Sequence, residues 1–226
     1  MRFITGFQRA FAEGSPKIMI ARCCRKLFCA VARFGTLVFA EVDLAQPIRE
    51  VPIVPGIIPR EGKAQDAALF QNQAVFLERI ALGDRCFMGI EEKTGKLTNY
   101  RWITTSPAHI PELDRYLIVP PTTVYAYDLV TLPEFRRRGI DSFMRYFTYS
   151  HLRDSGFTKI YAYIHGDNQP SLKSARQFNR EIGRIVYFQV RGCQTLMIGG
   201  HRRGFPEFRK DALPVQIMRQ QSARAG

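Results

Sequence analysis

The sequence lacks any hydrophobic run long enough to cross a membrane. The longest apolar stretches near the N-terminus are residues 27–32 and 34–40, which Arg33 separates, whereas a spanning helix needs about 20 residues. No apolar stretch followed by a small-residue cleavage site indicates a secretory signal. We therefore expect a cytoplasmic protein, with peripheral contact at a membrane surface as an alternative.

Cysteine is scarce and unevenly placed. There are five cysteines, an odd number, and their spacing together with the histidines does not form a zinc-binding pattern. We expect reduced, partly buried thiols and no metal. The cysteines are Cys23, Cys24, Cys29, Cys86 and Cys193.

Acidic residues are too few to balance the basic ones, since 20 oppose 33 and leave a net charge of +13. Basic side chains concentrate in residues 17–33, in the triplet Arg136–Arg138 and after residue 201. Nucleic acid, acidic lipid or a phosphorylated small molecule would each suit this distribution. No nucleic-acid-reading motif is visible.

With 226 residues, 46% of them hydrophobic, the chain can form one domain with a full core.

The spacing of apolar residues predicts a mixed α/β (α+β) fold around one central sheet. We assign residues 1–34 to a basic helical arm, 35–200 to the main domain and 201–226 to a basic tail. Helices are predicted over residues 16–33, 66–81, 140–155 and 171–182. Strands are predicted over residues 34–44, 85–91, 97–104, 123–131, 157–164, 184–190 and 194–198.

The most informative segment joins the strand that ends at Thr131 to the helix that begins at Ile140. It carries three consecutive arginines and then Gly139. Backbone N–H groups at a helix start have no intrahelical partner, and the helix dipole adds positive charge there. These features predict a diphosphate site, and a solvated basic loop is the alternative.

Arg136-x-x-Gly139-x-Asp141 resembles the acyl-coenzyme A signature Gln/Arg-x-x-Gly-x-Gly/Ala of the GNAT acetyltransferase superfamily. The segment from Asn168 to Ser171 resembles the family's Asn-x-x-Ser/Ala phrase, and residues 178–183 resemble its closing helix and glycine. The resemblance covers residues 85–200. Asp141 departs from the family's small residue, and we expect its side chain to point outward.

The resemblance implies a mostly antiparallel mixed sheet that splays midway, with flanking helices. It also implies transfer of an acyl group, acetyl first, from acyl-coenzyme A as co-substrate to an amine acceptor. Backbone N–H groups of Leu129, Val130 and Thr131 would face the thioester. The other implied donor-binding residues are Arg136, Arg137, Arg138, Gly139, Ile140, Asp141 and Asn168.

Catalytic residues are harder to assign, because many family members carry a tyrosine four residues before the closing glycine and this chain has Asn179. Asp128 and His165 are candidates for the base. The candidates for the acid are Tyr163, Tyr161 and Tyr187. Each of these residues has an ordinary structural role as its alternative, and Glu41 is a remoter candidate.

Other interpretations remain open. Residues 16–34 are basic and apolar at once, so they could pack on the sheet, lie on anionic membrane or bind an acidic partner. The whole protein could be a catalytically inactive, basic GNAT-like binding module. A transferase of the same fold could also use a long-chain acyl or an aminoacyl-tRNA donor.

Overall fold

The computed structural model describes residues 32–190, 193–200 and 204–211. The helix predicted over residues 16–33 lies outside this part except for its last two residues, which belong to the first strand. The strands are β1 (Ala32–Asp43), β2 (Ile57–Glu61), β3 (Arg85–Glu91), β4 (Leu97–Thr104), β5 (Ala108–Ile110), β6 (Arg115–Leu117), β7 (Thr123–Thr131), β8 (Lys159–His165), β9 (Arg180–Val190), β10 (Leu196–Gly199) and β11 (Phe208–Arg209). The α-helices are α1 (Gln73–Ala81), α2 (Ile140–Asp154) and α3 (Gln169–Ala175), and 3-10 turns cover Ala64–Leu69 and Pro133–Phe135.

Eight strands form one sheet in the order β10-β9-β1-β8-β7-β4-β3-β2. All neighbouring pairs are antiparallel except β7 and β8, which run parallel. The predicted mixed, mostly antiparallel sheet with flanking helices is confirmed. A second, small sheet joins β5, β6 and β11.

The sheet opens between its two parallel strands. Pairing joins residues 123–125 of β7 to residues 159–161 of β8 and then stops. Beyond that point β7 stays paired with β4, and β8 stays paired with β1. We call the opening between residues 126–131 and 162–165 the wedge; among the described residues no strand fills it. The predicted midway splay is therefore confirmed.

Strand β1 lies inside the sheet, between β8 and β9. Its register with β8 places Leu37 beside His165 and Phe39 beside Tyr163. Alternation then sends Leu37 and Phe39 to one face and Val42 to the other. The strand thus supports the full length of β8 on the side away from the wedge.

The two faces of the sheet have separate cores. Helix α2 packs Tyr149 and Leu152 against Val42, Phe87 and their neighbours on one face. On the other face, Phe76 of α1 contacts the ring of Trp102, and the β5–β6 hairpin buries apolar side chains over Tyr125. In the described part of the chain, no helix is long and apolar enough to cross a membrane.

The local elements were predicted with mixed success. The β3–β4 hairpin and β7 have the predicted bounds, with Gly95 at φ 69° in the hairpin turn. The helix predicted over residues 171–182 is wrong in its second half, because residues 180–182 belong to β9, where Arg180 and Glu181 pair with β1 and Ile182 lies at a register shift. The helix predicted over residues 66–81 is broken before Asn72, which caps α1. Strands β2, β5, β6 and β11 were missed.

Candidate functional site

The chain turns between β7 and α2 over residues 133–141, and we call this backbone turn the cup. A 3-10 turn at Pro133–Phe135 leads into Arg137 at φ 62° and Gly139 at φ 77°. Gly139 is the N-cap of α2, and the first backbone N–H groups of the helix have no partner within the helix. A Cβ on Gly139 would meet Val54 Cγ2 at 3.8 Å among the described atoms, so there is room beside the Gly139 backbone.

The cup carries three consecutive arginine side chains, those of Arg136, Arg137 and Arg138. Within the described residues, no ion pair joins Arg136, Arg137 or Arg138 to a carboxylate. Arg136 Nε donates to the carbonyl oxygen of Thr131 at 3.0 Å, and Arg138 lies over the ring of Phe135. The cup therefore combines free helix-start amides with excess positive charge, which suits a diphosphate.

Strand β7 carries a bulge where it borders the wedge. Asp128 has φ 45°, and two residues, Asp128 and Leu129, stand opposite Arg101 of β4. The Asp128 carboxylate is 51% exposed and pairs with Arg79 at 2.7 Å. Arg79 in turn lies over the rings of Trp102 and Tyr127. The sequence placed Asp128 among the candidate bases; the structure gives its carboxylate a cationic partner.

Two predicted catalytic residues meet at the far side of the wedge through a carboxylate that sequence reasoning missed. Tyr163 Oη donates to Glu112 Oε2 at 3.1 Å, and His165 Nε2 lies 3.0 Å from Glu112 Oε1. Glu112 comes from the β5–β6 turn and its side chain is 20% exposed. The turn thus delivers a carboxylate to the end of β8, beside the wedge.

A row of tyrosine rings connects this cluster to β7. The ring of Tyr125 stacks between Tyr163 and Tyr127, at centroid distances of 6.3 and 5.8 Å. Burial, and then the charge and hydrogen bond of Glu112, raise the pKa of Tyr163. Burial, and then a hydrogen bond to Asp84, raise the pKa of Tyr127. These phenols are therefore protonated at neutral pH and can act as hydrogen-bond donors.

Asn168 begins the helix that follows β8. Its side-chain oxygen accepts a hydrogen bond from the backbone N–H of Ser171 at 3.2 Å, so it is the N-cap of α3. The structure assigns it this capping contact. Its predicted contact with the donor's pantetheine arm remains a prediction.

Asp141 points inward, so the expectation that its side chain faces outward is wrong. Its carboxylate accepts hydrogen bonds from Arg101 at 3.3 Å, from Arg145 at 3.0 Å and from Ser174 at 2.5 Å. Burial would raise the pKa of Asp141, but the charges of the two arginines and the Ser174 bond outweigh it and lower that pKa. We call Arg101, Asp141, Arg145 and Ser174 the charge cluster.

The charge cluster holds two guanidinium groups against one carboxylate. Arg101 is fully buried, and its Nε and Nη1 atoms find no hydrogen-bond partner among the described atoms. Burial, reinforced by the charge of Arg145, lowers the pKa of Arg101 to about 10. The cluster also ties the first turn of α2 to α3, because Ser174 belongs to α3.

The remaining candidate residues, Glu41, Tyr161 and Tyr187, lie away from the wedge opening. Glu41 is buried and paired with Lys159 and Arg180, where β7 and β8 are still joined. It lines a separate cavity with Tyr149 and Phe178. Tyr161 and Tyr187 are buried in the core between the sheet and the β5–β6 hairpin. An ordinary role in packing or ion pairing therefore accounts for the position of each of these residues.

Glu112 carried no local signal in the sequence. It follows Pro111 in a stretch that reads as a loop, and its importance arises from contacts with residues more than 50 positions away. Two of the three partners of Asp141 are also distant, since Arg101 precedes it by 40 residues and Ser174 follows it by 33. Among the described residues, no group of His, Cys, Asp and Glu could hold a metal ion.

Solved structures with this fold include a GCN5-related N-acetyltransferase from Sphaerobacter thermophilus. It shares 12% identity at a TM-score of 0.50, over 74% of this chain and 56% of that one. A Drosophila protein shares 13% identity at a TM-score of 0.50, over 75% of this chain and 57% of that one. The chain therefore spans less than three fifths of the length of either structure.

The likeness identifies the architecture: the chain has the GNAT acetyltransferase fold. No protein-family model and no curated protein sequence matches it. At these identities the likeness concerns the fold alone, so the chemistry has to be argued from the residues that surround the cup and the wedge.

Proposed function

We propose that this protein transfers an acyl group, acetyl first, from acyl-coenzyme A to an amine. The observation that carries the proposal is the continuity of the cup with the wedge. The cup follows directly on the half of β7 that borders the wedge, and the wedge ends beside Glu112, Tyr163 and His165. One elongated ligand could hold its diphosphate in the cup and present a thioester between β7 and β8.

The donor end is proposed from charge and space. The amides of Gly139, Ile140 and Asp141 would bind the diphosphate, and Arg136–Arg138 would neutralise it. The open side of Gly139 allows the backbone to approach the ligand closely. Backbone N–H groups of residues 129–131 would stabilise the oxyanion that forms on the thioester carbonyl.

The acceptor end is proposed to use His165 as base. With Nε2 donating to Glu112, the Nδ1 lone pair of His165 is available to take the proton from the attacking amine. Glu112 would orient the imidazole and stabilise its protonated form. Tyr163 keeps its proton because its pKa is raised, and its hydroxyl would turn from Glu112 to donate a hydrogen bond to the departing thiolate. His165 is a better candidate for the base than Asp128, because the Asp128 carboxylate is already paired with Arg79.

Donor binding is tested by thermal unfolding with acetyl-coenzyme A. At about 100 times its dissociation constant, a ligand stabilises the folded state by about 2.7 kcal/mol, which raises the melting temperature by about 5–10 °C in a chain of this size. Arg138→Glu and Gly139→Glu should each abolish the rise. An unchanged melting temperature for the wild-type chain at millimolar ligand would refute donor binding.

The base is tested by measuring acetyl transfer to a panel of amines. His165→Asn should lower the rate about 100-fold or more, and Glu112→Gln should lower it less and shift the pH profile. The β5–β6 hairpin offers a matched control, because His109 and Asp114 form an exposed histidine–carboxylate pair at 3.5 Å. His109→Asn should leave transfer unchanged. Equal losses in His109→Asn and His165→Asn would overturn the assignment.

A second candidate is a binding module that holds an anionic ligand without transfer. The observation favouring it is Asn179, which stands where many family members carry the acidic tyrosine and whose Oδ1 accepts a hydrogen bond from Tyr149 at 3.3 Å. A ligand-induced rise in melting temperature with no acylation of any amine in the panel would favour this candidate. A rise with transfer RNA but none with acetyl-coenzyme A would favour an aminoacyl-tRNA donor.

A further inference from the structure

The C-terminal end of α1 and the turn after it contact β7 at two consecutive residues. Arg79 Nη1 lies 2.7 Å from Asp128 Oδ2, and Asp84 accepts a hydrogen bond from Tyr127 Oη at 2.5 Å. The backbone N–H of Asp84 donates to the carbonyl oxygen of Arg79 at 3.0 Å, which joins the two contacts into one turn. We call Arg79, Asp84, Tyr127 and Asp128 the clamp.

The clamp depends on the bulge in β7. Successive side chains of a regular strand point to opposite faces, so Tyr127 and Asp128 would not both contact the same turn. They do so here because Asp128 has φ 45° and belongs to the bulge opposite Arg101. A left-handed backbone is unfavourable for residues other than glycine, although aspartate adopts it more readily than most. The ion pair with Arg79 therefore stabilises a conformation that β7 alone would not favour.

Arg79 reaches Asp128 from a position that aromatic rings define. Its guanidinium group lies over the rings of Trp102 and Tyr127, 5.2 and 5.0 Å from their centroids. Trp102 is buried and contacts the ring of Phe76, which belongs to the same helix as Arg79. The Arg79 side chain is 26% exposed, so solvent screens its charge less than that of a fully exposed arginine.

The bulge determines which backbone N–H groups of β7 point into the wedge. The N–H of Leu132 donates to the carbonyl oxygen of Thr98 at 2.9 Å, so it points toward β4. N–H groups alternate between the two edges of a strand, and the N–H groups of Thr131 and Leu129 therefore point to the other edge, which borders the wedge. The carbonyl oxygen of Thr131 agrees with this direction, because it accepts from Arg136. Without the extra residue of the bulge, the alternation would be shifted by one position.

We propose that Arg79 is a positioning residue for the transfer reaction. It holds Asp128 in the left-handed conformation, and the bulge then directs the N–H groups of Leu129 and Thr131 at the carbonyl group of the thioester. The inference rests on the proposed function, because the thioester belongs to that proposal. It gives the Asp128 carboxylate a conformational role in place of the role of a base.

The first test separates the conformation of residue 128 from its carboxylate. Asp128→Gly removes the carboxylate, but glycine adopts positive φ without steric cost, so kcat for acetyl transfer should stay within about twofold of the wild type. Asp128→Ala also loses the ion pair and keeps the steric cost. Its kcat should fall about tenfold, with little change in KM for acetyl-coenzyme A. Equal large losses in the two variants, or no loss in Asp128→Ala, would overturn the proposal.

The second test removes the other partner of the ion pair. Arg79→Met keeps an unbranched apolar side chain beside the rings and should lower kcat about tenfold. Arg79→Lys keeps the charge and should recover part of this loss. Added to Asp128→Gly, Arg79→Met should cause no further loss, because glycine no longer needs the ion pair. Additive losses in the double variant would mean that Arg79 acts by another route and would overturn the proposal.

The matched control is Arg85→Met. Arg85 of β3 is also 26% exposed, pairs with Glu61 at 2.7 Å and lies 5.1 Å over the ring of Phe87. It therefore has the same kinds of contact as Arg79 but does not touch β7. Arg85→Met should leave kcat unchanged. An equal fall in Arg79→Met and Arg85→Met would show a general loss of stability and would contradict a positioning role.

A magnetic-resonance measurement on the full chain does not depend on activity. Positive φ brings the N–H and Hα protons of one residue closer together than negative φ does, so Asp128 should give a strong nuclear Overhauser effect between them. The effect should weaken in Arg79→Met and persist in Arg85→Met. If this difference is seen but the wild type acetylates no amine, the proposed function fails and the clamp stands. If the wild type acetylates an amine and the difference is absent, only the clamp is refuted.

Discussion

The cup and the charge cluster meet at the first turn of α2 and use arginine in opposite ways. In the cup, Arg136–Arg138 have no carboxylate partner among the described residues and remain accessible. In the charge cluster, Arg101 and Arg145 are buried and share the carboxylate of Asp141. A buried charge must be paired within the protein, whereas an exposed charge is solvated by water and is available to bind a ligand. Arg101 and Arg145 therefore stabilise the fold, whereas the exposed arginines of the cup are available for binding.

The largest expected effect comes from breaking the charge cluster. Asp141→Asn keeps the size of the side chain but leaves two buried guanidinium groups without an anion. Removal of one partner of a buried pair costs about 3–5 kcal/mol, so the free energy of unfolding in urea should fall by that amount. The matched control is Asp128→Asn, whose exposed pair with Arg79 should contribute about 1 kcal/mol or less. Equal losses would mean that the cluster is not a structural element.

Acid should weaken the same cluster. The pKa of Asp141 is lower in the folded than in the unfolded chain, so the unfolded chain takes up the proton first. Its contribution to stability is complete above the ordinary carboxyl pKa of about 3.9 and is lost as the pH falls through the folded value. Unfolding measured between pH 5 and pH 2 should show a steeper decline for the wild type than for Asp141→Asn. Parallel curves would contradict this account.

A smaller effect is expected at the glycines that flank α2. Gly139 and Gly156 both have positive φ, 77° and 88°, and both have room for a Cβ. Substitution by alanine should therefore destabilise the protein by about 1–2 kcal/mol at either position. Only Gly139→Ala should also weaken binding of coenzyme A, because only Gly139 lies in the cup. Weakened binding in Gly156→Ala would indicate that the helix as a whole, and not the cup, determines affinity.

The smallest change in the free energy of unfolding is expected when one of the cup's arginine charges is removed. Arg137 already adopts positive φ, so Arg137→Ala removes the guanidinium and keeps a side chain with the same backbone penalty. Stability should change by about 0.5 kcal/mol or less. The affinity for coenzyme A should fall, with a weaker dependence on salt than in the wild type. A large loss of stability would place Arg137 with the buried arginines instead.

The sequence predicts those parts of the fold that depend on local pattern. The β3–β4 hairpin, β7 and the start of α2 follow from alternation, Gly95 and Gly139, and their bounds agree with the structure. The splay of the sheet was predicted from the family resemblance, and strand pairing confirms it.

Errors arose where distant contacts override local preference. Residues 180–182 alternate poorly, and the pairing of Arg180 and Glu181 with β1 holds this segment in a strand. Asp141 turns inward because Arg101, 40 residues earlier, places an otherwise unpaired charge beneath it. Glu112 gains its role from a hairpin that folds over β8. In each case the deciding partner is remote in sequence, so no local pattern could reveal it.

Binding of coenzyme A in the cup is tested most directly by calorimetric titration of the full chain, repeated with Arg138→Glu. The wild type should show one site per chain, and the variant should lose that site while its melting temperature without ligand stays unchanged. Equal binding by the two proteins, or no heat of binding by the wild type, would contradict binding in the cup.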